Sequence, residues 1–185
     1  MTSFNTADIC DENSDVQIAE PIFKSFGERA LFYGKIRTVS VLDDNSFVKK
    51  LVNEKVEGDV MVVDGRASLK CALLGDNLAR IACGNGWSGF IINGCIRDSD
   101  IINKIDIGIK AISTMPIKSV KKDIGDYAKN LNFAGVVFKE GEYVYSDGDG
   151  IVILKRAISN KNITQKINIG IPYKLITCMK RMSDE

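Results

Sequence analysis

The feature that most constrains the fold is a pair of short apolar runs with a helical pattern between them. Residues 60–63 (VMVV) and 90–92 (FII) are apolar without alternation, as expected of strands that are buried on both faces. Between them, apolar residues at helical spacing predict a helix that starts near 75–77 and stops by 84–86. This alternation of strand and helix predicts an α/β fold.

The rest of the chain mixes strands and helices, with strands toward the end. The β-branched and aromatic content of residues 30–41 predicts a strand. A helix is expected behind the capping candidates Asp44 and Asn45. The further predictions are a short helix near 99–100 and strands at 111–112, 136–138, 143–145 and 151–154, with a turn at Gly141.

Length and charge predict one domain with an appendage. A chain of 185 residues fits a single domain. Residues 155–185 hold seven bases against two acids, which leaves 18 bases against 22 acids in residues 1–154. We therefore predict a domain over 1–154 and a basic C-terminal extension over 155–185. A solvated tail is the favoured interpretation of the extension, and no direct contact with nucleic acid is expected.

Composition predicts a cytoplasmic protein. No apolar run approaches the roughly 18 residues that cross a bilayer, and residues 1–20 carry five acids and no base, unlike a signal peptide. The five cysteines are scattered without the spacing of a zinc site or a disulfide framework, and are expected to be reduced core residues. The absence of histidine leaves carboxylates, Arg, Lys, water or a metal for any chemistry.

Two glycine-rich segments look functional but are explained by turns. Residues 84–89 (GNGWSG) have the letters of a dinucleotide-binding loop, yet they follow a predicted helix and precede a strand, which reverses the required order. A helix C-cap and tight turn is the better interpretation. Residues 147–150 (DGDG) lack the terminal Glu of a calcium loop, because Ile158 stands there, so a β-turn with Asx chemistry is predicted.

Charged residues follow the second apolar run and begin the predicted helix. Arg97 and Asp98 come after 90–92, where open α/β sheets place their sites. Helix capping would also explain Asp98 or Asp100, and a surface ion pair would explain Arg97, so both structural interpretations stay open. The free amides at the helix start can hold a small carboxylate. These amides belong to Gly75, Asp76, Asn77 and Leu78.

At these residues the chain resembles the family that includes the regulator of ribonuclease activity A and the 4-hydroxy-4-methyl-2-oxoglutarate aldolases. The aldolases of that family carry an Asp, twenty intervening residues and then Arg-Asp, and Asp76 with Arg97-Asp98 reproduces the residues and the interval. The resemblance spans residues 6–154. Its matching segments are 6–11 (TADICD), 62–65 (VVDG), 75–79 (GDNLA), 94–98 (GCIRD) and 132–136 (NFAGV).

The resemblance implies a metal-dependent lyase that releases pyruvate. In that interpretation Arg97 contacts the pyruvyl oxygens, Asp98 helps to hold a divalent cation (Mg²⁺ or Mn²⁺), and residues 75–78 bind the carboxylate. Asp76 would orient a cation-bound water as the proton carrier. The same chemistry would decarboxylate oxaloacetate. Schiff-base catalysis is the competing mechanism, but no lysine lies in the motif, and Lys70 and Lys110 are expected to be surface lysines.

The resemblance also implies an architecture and an alternative role. The expected fold is a mixed β/α swivelling-type domain with a central β-sandwich or barrel flanked by helices, assembled as a homotrimer with sites near the interfaces. An acidic residue that some aldolases supply from a neighbouring subunit has no clear match in 155–185. The alternative function is a non-catalytic inhibitor that docks to ribonuclease E, with the same fold.

Overall fold

The computed structural model describes residues 4–128 and 130–158. Residues Asn5–Arg156 form one compact unit. Most of the predicted basic extension 155–185 lies outside the described residues, so that extension stays a prediction. Cys178 lies outside them as well.

The unit contains four helices and ten strands in its described residues. In chain order they are α1 (Thr6–Glu12), β1 (Gln17–Ile18), β2 (Lys24–Phe26), β3 (Phe32–Ser40), α2 (Ser46–Val52), β4 (Val60–Leu74), α3 (Asp76–Gly84), β5 (Gly89–Ile96), α4 (Ser99–Ile102), β6 (Gly108–Thr114), β7 (Asn130–Phe133), β8 (Val136–Lys139), β9 (Tyr143–Ser146) and β10 (Ile151–Leu154). An eight-stranded mixed sheet forms the centre of the unit, in the order β1-β10-β9-β3-β4-β5-β6-β2. Strands β3, β4, β5 and β6 run parallel, and the outer strands pair antiparallel. A separate hairpin joins β7 and β8.

Both faces of the sheet are covered, which explains the unbroken apolar runs. Along β4, Met61 and Val63 belong to one core cluster while Val60 and Val62 belong to a second. Successive side chains of a strand point to opposite faces, so each cluster lies on its own side. The first cluster contains residues of α2, α3 and α4, and the second contains residues of the β7–β8 hairpin. The predicted mixed α/β domain, a sheet flanked by helices, is confirmed.

Strand β4 continues beyond Asp64-Gly65, where the apolar run of residues 60–63 ends. Asp64 Oδ1 accepts a hydrogen bond from Arg66 N at 2.9 Å, and Arg66 and Ala67 both adopt a left-handed φ of 54°. The strand pairing with β5 shifts register between Asp64 and Ser68 and shifts twice more before it reaches Leu74. The local turn is therefore an irregularity inside a longer strand, because the apolar residues 71–74 that follow pair with β5 again at Ala72 and Leu74.

The two predicted strands that flank the Gly141 turn do not pair with each other. The predicted strands at 136–138 and 143–145 exist and flank Gly141, whose φ is 87°. However, β8 pairs with β7, while β9 pairs with β3 and β10. The glycine therefore connects the separate hairpin to the main sheet.

The expectation that Lys110 is a surface lysine is wrong. Lys110 is 5% exposed on β6, and its Nζ donates to Ser25 Oγ at 2.8 Å and to the Asp147 carbonyl at 2.6 Å. Desolvation lowers the pKa of Lys110. The same Asp147 begins the predicted Asx turn, in which its Oδ1 accepts from Asp149 N and Gly150 N at 2.9 and 3.2 Å. The ammonium group is thus a buried tie between β6 and this turn.

The described cysteines are free thiols, with Cys71 and Cys95 buried and Cys10 and Cys83 partly exposed. Burial raises the pKa of the Cys71 and Cys95 thiols. Among the described residues, no helix is both long and apolar enough to span a bilayer.

Candidate functional site

Two neighbouring parallel strands bring the two halves of the predicted site together. Strands β4 and β5 pair in register at Leu74 and Ile96, and Arg97 N donates to the Leu74 carbonyl at 3.0 Å. The residues after each strand therefore emerge side by side at the carboxyl end of the sheet. Gly75 follows β4 directly, and Arg97 follows β5. This is the edge where open α/β sheets bind ligands.

The contact between the two halves is close at position 75, where a larger residue would displace the side chains of the other half. A Cβ added to Gly75 would lie 2.9 Å from Asp98 Oδ2 and 3.2 Å from Arg97 Nε. The backbone itself would accept another residue, since Gly75 has the extended φ of −131°. The glycine therefore lets the Arg97 and Asp98 side chains lie directly against the start of α3.

Asp98 is not used as a helix cap. It occupies the N-cap position of α4, but its side chain makes no capping hydrogen bond. Its carboxylate instead lies 3.3 Å from Arg97 Nε, with the two side chains 34% and 36% exposed. Asp98 also adopts a left-handed φ of 58°, which is uncommon for a non-glycine residue and is enriched at functional sites. Capping does not account for this residue.

The start of α3 presents unsatisfied backbone donors beside this ion pair. Gly75 is the N-cap and offers no side chain to the first turn. The amides of Asp76, Asn77 and Leu78 precede the first residue able to bond back along the helix, which is Ala79 N to the Gly75 carbonyl at 3.1 Å. Asp76 is in loose contact with Arg80, at 3.9 Å. The helix end can therefore accept an anion.

A cavity of about 290 Å³ opens at this point. It contains all the predicted site residues except Asp98, whose carboxylate contacts Arg97 at the cavity wall. The structure also adds residues that the sequence patterns did not single out. The lining residues are Asn45, Lys49, Ala72, Leu74, Gly75, Asp76, Asn77, Leu78, Ile81, Arg97, Lys118, Ser119 and Lys121.

The added polar and charged residues come from the start of α2 and from the segment 115–126. Asn45 Nδ2 donates to the Leu73 carbonyl at 3.1 Å, which fixes the start of α2 beside the end of β4. Lys118 forms an isolated parallel bridge with Ala72. The basic run at Lys118, Lys121 and Lys122 was the available signal, but nothing local to it predicts that it crosses over β4.

A larger cavity of about 600 Å³ shares Lys118 with the first. It is lined by Asp43, Arg66 and Lys70 among others, and it holds none of the motif residues at 75–78 or 97–98. We place the candidate site in the smaller cavity, because an α/β sheet binds ligands at its strand ends and the helix amides and the Arg97–Asp98 pair converge there.

Asp44 anchors the segment that carries the cavity lysines. Its side chain is 1% exposed, and its carboxylate accepts from Ser46 N at 2.7 Å, Lys122 N at 2.7 Å and Ile124 N at 3.1 Å. Burial alone would raise the pKa of Asp44, but hydrogen bonds from Ser46 and from the Ile124 and Lys122 amides lower it to about 2. The ionised carboxylate therefore holds the segment against α2.

The lowered pKa of Asp44 predicts that the free energy of unfolding decreases at acid pH. The pKa of Asp44 is about 2 in the folded protein and about 3.9 in the unfolded chain. The contribution of its carboxylate to the free energy of unfolding is therefore complete above the unfolded-state pKa, and it is lost as pH falls through the folded-state pKa. We expect Asp44→Asn to lower the free energy of unfolding by about 2 kcal/mol at pH 6, with the deficit shrinking below pH 4. Urea unfolding at pH 6, 4 and 3 measures this. A constant deficit would contradict it, and Asp15→Asn is the exposed control.

A divalent cation would find few protein ligands here. Among the described residues, no group of three or more His, Cys, Asp or Glu side chains could hold a metal ion. A single carboxylate with water and ligand oxygens is nevertheless an ordinary arrangement for Mg²⁺. Asp98 fits that requirement, because its side chain makes no capping hydrogen bond and faces the space that a Gly75 Cβ would fill.

Comparison with known proteins is consistent with this geometry. The RraA-like family model (Aldolase/RraA) matches residues 6–153. A relative from Alkalilimnicola ehrlichii with the provisional name 4-hydroxy-4-methyl-2-oxoglutarate aldolase is 44% identical over 157 residues, 84% of this chain and 98% of the relative.

Two solved structures are similar along most of their length. One, from Geobacillus kaustophilus, is described as an S-adenosylmethionine:2-dimethylmenaquinone methyltransferase, with a TM-score of 0.82, 45% identity, and coverage of 84% of this chain and 97% of that one. The other, described as the RNA-processing inhibitor RraA from Thermus thermophilis, has a TM-score of 0.83, 38% identity, and coverage of 85% and 96%.

Proposed function

Because this chain belongs to the Aldolase/RraA family, we propose that it is a divalent-metal-dependent lyase that cleaves 4-hydroxy-4-methyl-2-oxoglutarate to pyruvate. The observation that carries the proposal is the placement of Arg97 and Asp98 against the start of α3, where Gly75 allows the contact. Backbone amides that can bind a carboxylate and the guanidinium of Arg97 thus line one small cavity, and the candidate cation ligand Asp98 contacts Arg97 at its wall.

The pyruvyl end of the substrate is divided between two groups of donors. Its carboxylate binds the amides at Asp76, Asn77 and Leu78, where the helix dipole adds a favourable field. Its keto oxygen accepts hydrogen bonds from the guanidinium of Arg97. This interaction is strongest where negative charge develops. When the bond between C3 and C4 breaks, the electron pair stays on the pyruvyl fragment as its enolate. Arg97 therefore favours the transition state over the bound substrate.

Asp98 and Asp76 have separate proposed roles. Asp98 would hold Mg²⁺ or Mn²⁺, and such an ion supplies Lewis-acid stabilisation of the carboxylate and keto oxygens of a 2-oxo acid. Asp76 would accept a hydrogen bond from a water and so help to move the proton that leaves the C4 hydroxyl and the one that reaches the enolate carbon. Its contact with Arg80 is 3.9 Å long and leaves the carboxylate able to accept such a bond.

The same site would decarboxylate oxaloacetate. In that reaction carbon dioxide is the leaving fragment, and the electron pair again remains as the enolate of pyruvate. Arg97 and the helix amides would hold the same atoms in both reactions. We therefore propose both activities for one cavity.

Pyruvate release tests the proposal. The protein with Mg²⁺ or Mn²⁺ is expected to release pyruvate from both substrates, and a chelator is expected to stop the reaction until metal is restored. Release can be followed with lactate dehydrogenase and NADH. A folded, metal-supplied protein that releases pyruvate from neither substrate would refute the lyase.

A Schiff-base mechanism is tested separately, because the cavity contains Lys49, Lys118 and Lys121. Borohydride reduction in the presence of pyruvate traps such an intermediate as a stable adduct on the lysine. We expect no gain in mass in the treated protein. An adduct on a cavity lysine would replace the metal-dependent mechanism.

Glycine at position 75 predicts a sharp activity effect. In Gly75→Ala the new Cβ must displace the ends of the Asp98 and Arg97 side chains, so kcat/KM should fall by about 10- to 100-fold while the fold is kept. Gly84→Ala is the matched control, since a Cβ there meets nothing within 4 Å. It should leave activity unchanged and raise stability by up to about 1 kcal/mol. Equal activities in the two variants would count against the site.

We propose further that the chain acts in the cytoplasm as a homotrimer. Exposed apolar side chains support assembly, because Leu42, Ile117, Val120 and Ile124 are between 46% and 65% exposed and all line the larger cavity. Sedimentation equilibrium should give three times the chain mass, and Val120→Lys should lower it. A monomer in the unmodified protein would exclude the assembly.

A ribonuclease regulator is the second candidate, favoured by the similarity to the structure described as an RNA-processing inhibitor. Such a protein would dock to ribonuclease E without chemistry, and the two roles can coexist. A pull-down with ribonuclease E, repeated with Asp98→Ala, separates docking from catalysis. The methyltransferase description of the other structure finds no support in residues 84–89, which run from α3 to β5 rather than from strand to helix.

A further inference from the structure

We propose that Lys118 and Lys121, assisted by Lys49, bind a second carboxylate of the substrate and so restrict the enzyme to 2-oxo acids with two acid groups. This inference rests on the proposed function and assigns a role to cavity residues that the family motif does not include. The motif residues account for one end of the substrate, and the lysines account for the other.

The charge of the cavity is the first observation. Its lining contains four cations, Lys49, Arg97, Lys118 and Lys121, against the single carboxylate of Asp76. In the described part of the chain, Lys49, Lys118 and Lys121 form none of the salt bridges, and the Asp76 carboxylate contacts Arg80 instead. A small cavity with three unpaired ammonium groups favours an anion with more charge than pyruvate carries.

The placement of the lysines is the second observation. The carbonyl of Ile117 accepts from Ala72 N at 2.8 Å, which holds the backbone beside Lys118 against β4. Ser119 is 8% exposed, and the next amides along the chain, those of Lys122 and Ile124, are held by the buried Asp44. The backbone is thus fixed on both sides of Lys121. The exposed side chains of Lys118 and Lys121 therefore extend from an ordered backbone.

The donors of the cavity come from two different parts of the chain. The amides of α3 and the Arg97 guanidinium lie at the ends of β4 and β5, where the pyruvyl end would bind. Lys118 and Lys121 enter the cavity from a different segment and remain available for the distal group. At about 290 Å³, the cavity is at the small end of ligand pockets. Both ends of a compact diacid would therefore be held at once.

A pair of matched substrates tests the inference. In 4-hydroxy-4-methyl-2-oxopentanoate a methyl group replaces the distal carboxylate of 4-hydroxy-4-methyl-2-oxoglutarate, and the bond that breaks is the same. Lys118→Met and Lys121→Met are each expected to lower kcat/KM for the diacid by about tenfold, chiefly through KM, and the double variant by about 100-fold. All three should change kcat/KM for the monoacid by less than about threefold.

Two further readouts make the test specific. Raising the ionic strength should reduce kcat/KM for the diacid more than for the monoacid in the unmodified protein, and this difference should disappear in the double variant. Lys104→Met, an exposed lysine on another part of the surface, should leave both substrates unchanged.

The outcomes separate this inference from the proposed function. Equal losses for diacid and monoacid, or no loss for either, would overturn the role of the lysines while the lyase still stands. An unmodified protein that cleaves neither substrate would refute the proposed function itself.

Discussion

Replacing Arg97 by alanine is expected to lower kcat for pyruvate release by about 100- to 1000-fold, which is the usual cost of removing one donor from an enolate or oxyanion site. Arg97 is the guanidinium at the cavity wall, with its Nε 3.3 Å from Asp98 Oδ2 and its backbone tied to Leu74. In the proposed reaction, the charge that Arg97 would stabilise exists mainly in the transition state, so kcat should fall more than the affinity for substrate. Steady-state kinetics with both substrates measure the effect.

Two other variants interpret that loss. Arg97→Lys keeps the positive charge but not the planar fork, and should recover only about tenfold of the lost rate. Arg80→Ala is the matched control, because Arg80 is 58% exposed and reaches Asp76 only at 3.9 Å. Its activity should stay within about threefold of the unmodified protein. An Arg97→Ala protein with more than a tenth of normal kcat would remove Arg97 from the chemistry.

Replacing Asp98 by asparagine is expected to abolish metal-dependent activity, with a loss of at least about 1000-fold in kcat/KM at a fixed low metal concentration. Asparagine has nearly the same shape and tolerates the left-handed backbone that Asp98 adopts, with a φ of 58°. The fold should therefore survive, and the thermal midpoint should move by no more than about 4 °C. What the variant loses is the negative charge.

Metal binding distinguishes a cation ligand from a general structural role. Titration of Mn²⁺, followed by electron paramagnetic resonance or calorimetry, should show tight binding in the unmodified protein with pyruvate and little in Asp98→Asn. Asp100→Asn is the control, since it removes the same charge from the first turn of the same helix, whereas Asp98 is the carboxylate that lies against Arg97 and Gly75. Equal Mn²⁺ affinity in the two variants would show that Asp98 is not the ligand.

The proximity of the two halves of the candidate site could be predicted from the sequence because regular elements join them. The twenty residues between Asp76 and Arg97 contain the rest of α3, a tight turn and β5, which returns the chain to the strand end beside Gly75. Each element has a local signal, namely helical spacing, a glycine stop and an unbroken apolar run. The interval of twenty residues is therefore set by the length of a helix, a turn and a strand.

The cavity lysines could not be predicted in the same way. Lys118 and Lys121 come from a segment without helix or strand, and their position depends on a parallel bridge to Ala72 and on the buried Asp44 carboxylate. The sequence suggested Asp44 only as a helix cap. Its side chain does accept from Ser46 N at the start of α2, but its other oxygen takes two distant amides. Such long-range hydrogen bonds leave no periodic trace.

Other differences have the same origin. The burial of Lys110 depends on Ser25 and on the Asp147 carbonyl, which are far from it along the chain. The short strands β1 and β2 were not predicted, because two or three residues of strand carry too little pattern to be distinguished from a loop. Their pairing with β10 and β6 is what defines them.

The most direct test of the central claim is the exchange of the methyl protons of pyruvate in deuterated water, followed by proton nuclear magnetic resonance. An enzyme that stabilises the pyruvate enolate at Arg97 and Asp98 should exchange these protons with Mg²⁺ present, whatever its physiological aldol substrate. The exchange should stop with a chelator and fall at least about 100-fold in Arg97→Ala. A folded protein with Mg²⁺ that does not accelerate the exchange would contradict the account.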